Sequence, residues 1–318
     1  MRQKIVIATL AAALASMSTA AVAEPFAYVP NEGSASISVI DTATDKVVDT
    51  IKDLGAKPRG LASSGNNLYV SQQTNNQLKI VDLKQRKVTG SVQLGESPEG
   101  VYVSHDGRWV AAAIEENNTV AIIDTQSNKM VDEIAVKGDN PEHAVFSPDG
   151  KKLLVSAEDG HSVDVIDFPA RKAVAEIEVG KRPRGIGYLP DSSKAYVAAE
   201  NSSEIYVIDL PNNKVIKKLA GGLRSNGVTV SPDGSRVYIS NGGDGSVSVI
   251  DSSKDEIIAT VKVGTRPWNM AITPDGKKLY VANGRSNNVS VIDTEKNQKI
   301  TDIAVGERPW GVYIHTGD

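Results

Sequence analysis

Apolar and polar residues alternate along most of this chain, and the alternation is itself repeated. An apolar pair followed by Asp closes a short run at Asp41, Asp82, Asp124, Asp167, Asp209, Asp251 and Asp293. A second marker keeps the same step at Pro58, Pro98, Pro141, Pro183, Ser225, Pro267 and Pro309. A step of about 42 residues held over successive copies signals a repeat architecture, one supersecondary unit per copy. In the last full copy, Asn269 to Thr273 reads as a first strand. Pro274-Asp275-Gly276 reads as a turn, because Pro and Gly preset the backbone angles that a turn needs. Lys278 to Ala282, Val289 to Asp293 and Lys299 to Val305 supply three further strands. Short β-rich runs between turn signals predict an all-β fold. No segment beyond the N-terminus keeps a helical period.

Four strands per copy fit a seven-bladed β-propeller with four antiparallel strands in each blade. Apolar residues crowd both faces of the Val-Ser-Val-Ile runs, as expected where a neighbouring blade covers each face. Phe26-Ala27-Tyr28-Val29 aligns with a second strand, and Trp310 to His315 with a first strand. The C-terminal strand should therefore join the three N-terminal strands in a shared closing blade. Closure removes the free sheet edges that invite aggregation.

Residues 1–23 read as a signal peptide. Arg2 and Lys4 precede an apolar run from Ile5 to Leu14, and Ala21-Val22-Ala23 forms a small-residue cleavage site. Residues 24–318 are then a single propeller domain, expected to be periplasmic or secreted. The chain has no Cys, which excludes disulfides and thiolate metal sites. Its formal net charge is −4, and loss of the two basic leader residues makes it more acidic. Such a balance argues against a general nucleic-acid binder.

Tyr-Val-Ala-Asn at Tyr280 to Asn283, followed by Val-Ser-Val-Ile-Asp at Val289 to Asp293, resembles the YVTN-repeat β-propellers. The resemblance covers essentially all of the chain after the leader. The residues after each marker are Arg59, Glu99, Glu142, Arg184, Asn226, Trp268 and Trp310. This series resembles the propeller proteins associated with PQQ-dependent catabolism, from which Ser225 in place of Pro departs. The resemblance implies a periplasmic protein that accompanies quinoprotein alcohol oxidation, with a quinoprotein dehydrogenase or a cytochrome as partner. It carries over no catalytic residue. One propeller scaffold hosts unrelated roles, so function must be read from the site.

Strand direction puts the loop before each first strand and the loop after each second strand at one end of the ring. The second set contributes Glu32, Gln73, Glu115, Glu158, Glu200, Gly242 and Gly284. An acidic field is expected there, interrupted by Arg59 and Arg184, with Trp268 and Trp310 on adjacent blades. Divergence at one mouth with regularity elsewhere is what a binding surface would produce, although solvated loop ends also vary freely. The binding candidates are Arg59, Glu99, Glu142, His143, Arg184, Asn226, Trp268 and Trp310. The Trp side chains offer either rigid contact area or packing beneath a loop. Glu99, Glu142 and His143 are candidate ligands for a divalent ion. The alternative pairs Glu99 and Glu142 with Arg59 or Arg184.

The seven Asp residues that close the third strands are expected to fix turns, since a fold needs a turn seven times and an enzyme needs one asymmetric constellation. Asp106, Asp149, Asp233 and Asp275 should likewise sit in hairpins at the opposite end. Three functions remain. The first is a non-catalytic binding or accessory propeller. The second is a metal-dependent lactonase or lyase using Glu142, Asn226 and Asn269. The third is a single-stranded DNA binder using Arg266 and Arg308 beside Trp268 and Trp310. No nucleophile elbow, zincin or phosphate-loop motif occurs.

Overall fold

The computed structural model describes residues 25–315 and contains seven four-stranded antiparallel sheets. The leader read over residues 1–23 lies outside the described residues. Six sheets are consecutive in sequence, and the first begins with the strand Pro58–Ser64. The seventh orders Tyr313–His315, Phe26–Asn31, Ser36–Asp41 and Lys46–Ile51 side by side. Tyr28 pairs with Tyr313 and Phe26 with His315, so the two ends of the chain close the ring as the repeat alignment predicts. Among the described residues no helix is long and apolar enough to cross a membrane.

Within a blade the second and third strands are nearly continuous in burial, as in Leu68 to Val70 and Val289 to Ile292. Seven apolar clusters result, each shared by two adjacent blades; Tyr69, Leu78 and Val92 pack on Val110, Ala112 and Ile123, for example. The fourth strands are outermost, and their alternate residues, such as Val131, Ile258 and Ile300, face solvent. First strands of neighbouring blades touch around the axis. Gly60 permits this: a Cβ there would lie 2.5 Å from the Glu99 carbonyl oxygen. A serine of the second strand ties the two, with the Gly60 amide donating to Ser71 Oγ at 2.8 Å and that hydroxyl donating to the Glu99 carbonyl at 2.5 Å.

The first strands begin at the marker residue itself, two residues earlier than the sequence pattern suggests for the last copy. They bulge immediately afterwards: register shifts between Pro267 and Met270, and equivalently in the other five consecutive sheets. A bulge leaves residues outside the ladder and re-aims their side chains. At Ser225, where Pro is missing, the hydroxyl donates to the Gly222 carbonyl at 2.9 Å.

At the opposite end, all seven third-strand Asp carboxylates accept backbone amides of the turn that follows. These turns carry the residues that latch one blade to the next. Lys194 Nζ reaches Asp255 at 2.8 Å, and Tyr196 donates to the same carboxylate. Lys278 and Tyr280 treat Asp45 identically across the ring closure. Lys152 meets Asn213 at 2.6 Å, and Tyr69 donates to Asn128 at 2.6 Å. Elsewhere the polarity is reversed: Arg171 lies over Trp109 and Phe168, and Arg86 over Phe26.

Candidate functional site

The mouth is built on a backbone that does not vary. In every blade the amide of the residue after the second strand donates to the carbonyl of the residue before the marker. The seven bonds run from Glu32, Gln73, Glu115, Glu158, Glu200, Gly242 and Gly284 to Arg308, Lys57, Ser97, Asn140, Arg182, Arg224 and Arg266, at 2.8 to 3.3 Å. The two loop sets therefore share one end of the ring. All seven accepting residues have φ between 53° and 66°, in the left-handed region. Asn tolerates that conformation readily and Arg does not, because its Cβ crowds the backbone. Four consecutive copies nevertheless place Arg there: Arg182, Arg224, Arg266 and Arg308.

These arginines change the expected electrostatics. Glu32, Glu99, Glu142, Glu158 and Glu200 are all buried, and each lies beneath a guanidinium. Arg59 pairs with Glu99 and lies 3.4 Å from Glu32. Arg184 holds Glu142 at 2.5 Å, Glu158 at 2.7 Å and Glu200 at 2.8 Å. Glu200 also receives Arg224 and Arg266, each at 2.5 Å, with Arg182 at 3.6 Å. The most exposed of these side chains are Arg182 at 37%, Arg224 at 43% and Arg308 at 59%. The acidic field read from the sequence is thus an inner layer, and the surface that a ligand meets is rich in arginine. The pairings of Glu99 with Arg59 and of Glu142 with Arg184 are the alternative that the sequence left open.

Burial and charge separate the carboxyls. Burial and the neighbouring Glu142 push Glu99 well up and raise Glu158 to about 8. Glu142 stays below its ordinary range because Arg184 and Arg59 outweigh its burial. Burial opposes ionisation of Glu200, but Arg184, Arg266 and Arg224 prevail and hold it at about 2. His143 is driven down to about 4, chiefly by burial. Its Nδ1 lies 2.8 Å from the Tyr102 hydroxyl, and its ring packs on Trp310 with centroids 5.7 Å apart.

Trp310 is only 8% exposed, with its ring packed against His143, so it offers no free face for stacking a base. Trp268 is partly exposed, and its ring lies over Gly284, where a Cβ would come within 2.5 Å of it. Gly242 plays the same part for Arg266, whose Nη1 would lie 2.7 Å from a Cβ there. The two copies with glycine in the second ring thus use the space for Arg266 and Trp268. Asn226 is buried with its Nδ2 unpartnered, and Asn269 Nδ2 lies 3.5 Å from the Trp310 carbonyl.

Glu99 and Glu142 also approach Glu115, a residue the sequence placed in the acidic ring and not among the metal candidates. One carboxylate oxygen from each lies within 4.8 Å of the others. Glu99 Oε2 is buried without a hydrogen-bond partner, whereas Glu99 Oε1 takes Gln73 Nε2 at 2.7 Å and Glu115 takes the Ser97 hydroxyl at 2.7 Å. Three carboxylates suit a hard divalent cation. His143 Nε2 is 4.0 Å from Glu142 Oε1, so the imidazole borders this group.

Comparison with known proteins supports the fold class. Three family models match parts of the chain: a seven-bladed β-propeller lactonase over 169–305, a YNCE-like β-propeller over 103–194, and a cytochrome D1 heme domain over 25–143. No curated protein matches. A protein of unknown function from Desulfotomaculum acetoxidans superposes with a TM-score of 0.81 at 20% identity, covering 92% of this chain and 99% of its own. Kuenenia stuttgartiensis hydrazine synthase gives 0.78 at 23%, covering 89% and 99%. A candidate 6-phosphogluconolactonase from Bacteroides fragilis gives 0.77 at 17%, covering 94% and 100%. At these identities the likeness is one of fold.

Proposed function

We propose that this chain is a non-catalytic binding propeller of the periplasm that serves a quinoprotein alcohol-oxidising system through its mouth face. The observation that carries the reading is the convergence of unlike side chains on a backbone that is the same in all seven blades. A loop end drifting freely would not require four arginines in a conformation that costs each of them roughly 1 kcal/mol. The leader read over residues 1–23 supports the compartment, and the residues after each marker support the quinoprotein connection. In the test, immobilised protein is exposed to periplasmic extract of cells grown on an alcohol. Capture of a quinoprotein dehydrogenase or cytochrome, lost with Arg308→Glu and Trp268→Ala together, is the expected result. Recovery of neither partner, or capture indifferent to the double substitution, would sink the proposal.

A second reading rests on the carboxylate trio Glu99, Glu115 and Glu142 and on the partial match to a propeller lactonase. In that reading the trio holds a divalent ion that polarises a lactone carbonyl, and Glu158 supplies a protonated carboxyl nearby. Metal analysis of the purified protein, with lactone hydrolysis measured before and after a chelator, separates the readings. A stoichiometric ion and chelator-sensitive turnover would favour the enzyme.

A further inference from the structure

The copy with the barest loop borders the mouth at Gly242-Gly243-Asp244-Gly245. With Lys262 and Arg266 it lines a cleft of about 360 Å³, within the range of small-ligand sites. Arg266 is held by Glu200 through Nη2 alone; its Nη1 is buried and has no hydrogen-bond partner. A buried, unpartnered donor on a guanidinium points to an acceptor that the protein itself does not supply. The surrounding charge agrees. Arg182, Arg184, Arg224 and Arg266 share the carboxylates of Glu142, Glu158 and Glu200, so cations outnumber acids in this sector. Burial, and repulsion from Arg224 and Arg184, also depress Arg266, a cost that an anion would relieve. Asp244 is the acid on the cleft wall, and its Oδ2 is occupied by the Leu223 amide at 2.6 Å. Lys262, whose Nζ donates to the Asp244 carbonyl at 3.2 Å, adds an exposed cation at the rim.

We infer that this cleft receives the carboxylate or phosphate group of a small anionic ligand, with Arg266 as the buried contact and Lys262 at the entrance. Guanidinium is suited to the role because its fork matches both oxyanions in a two-bond geometry. The inference rests on the binding reading above and narrows it to a class of ligand.

The test titrates citrate, inorganic phosphate and, as a neutral control, glycerol into the full-length protein at fixed ionic strength, following heat and thermal midpoint. Saturable binding of citrate or phosphate is expected, with none for glycerol, and the preferred anion identifies the oxyanion. Arg266→Gln should weaken binding by about ten-fold or more, the loss of one charge-assisted contact. Lys262→Gln, at an exposed position on the cleft wall, should also weaken it and keeps the test valid should Arg266→Gln fail to fold. Arg86→Gln, at the other end of the ring, should leave affinity unchanged. Equal weakening by Arg86→Gln, or no saturable binding of either anion, would overturn the inference. Should neither anion bind while the quinoprotein partner is still captured, the inference fails and the binding reading stands.

Discussion

The two ends of the ring use the same raw materials, charged side chains on residues of positive φ, to opposite effect. At the turn end the left-handed positions are mostly Asn and Asp, as at Asp45, Asn128, Asn213, Asp255 and Asn297. There the side chain suits the backbone, and at Asp45, Asn128, Asn213 and Asp255 it meets a Lys or Tyr from the neighbouring blade. At the mouth the equivalent conformation is given to Arg in four consecutive copies, and the partners are buried glutamates. Arg86 and Arg171 are the two turn-end exceptions, each lying over an aromatic ring, whereas the mouth gives the disfavoured conformation to Arg in four consecutive copies. Repetition marks what the fold needs, and the departure marks where something beyond folding acts on the sequence.

Two of the mouth carboxyls, Glu99 and Glu158, titrate with the opposite sign to the turn carboxyls, whereas Glu142 and Glu200 are lowered as the turn carboxyls are. Turn carboxyls such as Asp82, Asp251 and Asp293 lie below their ordinary value because side-chain and backbone groups of the turn donate to them. Their contribution is complete above the unfolded pKa and is lost as pH falls through the folded one. Glu99 and Glu158 are raised, so the folded state prefers them protonated. Their contribution is complete in acid and fades as pH rises above the unfolded value, for Glu158 from 4.5 through about 8.

The comparison is broken most severely at Glu200. Glu200→Ala would leave Arg184, Arg224 and Arg266 without their shared anion in a buried site, and should cost about 3–5 kcal/mol in denaturant unfolding. A loss below about 1 kcal/mol would mean that water already screens the cluster. Next comes the ring-closing latch. Tyr280→Phe deletes the donor to Asp45 and should cost about 2 kcal/mol while leaving capture by the mouth intact. Loss of capture at equal stability would show that the two ends are coupled. The smallest effect is a slope. The raised Glu158 predicts a fall in the wild type's thermal midpoint between pH 4.5 and 8, and Glu158→Gln should flatten it. A parallel shift of the whole curve would assign Glu158 a packing role only.

The fold was legible because its information is local and stated many times. Asp293 caps its turn and Tyr280 spans its interface for reasons already present in a single copy, and strand direction alone put Glu99, Glu142 and Glu200 at one end. The site was less legible, because its information lies between copies. The residues after each marker stood out, whereas Arg182 and Arg224 before it did not; their inward reach depends on a backbone conformation that their own chemistry does not favour. Gly242 and Gly284 read as gaps in an acidic ring. They are in fact the spaces that admit Arg266, from the next copy, and Trp268, from the same copy as Gly284. Trp310 sits well buried for a similar reason, as its neighbour His143 belongs to a distant repeat.

Seven equivalent amide-to-carbonyl bonds hold the mouth whatever side chains it displays. Selection can therefore exchange one displayed residue at a time without renegotiating the framework. What the backbone leaves free, the charges tie together: Arg184 serves three carboxylates, so a new specificity there would arise by exchanging linked groups of residues on an unchanged frame.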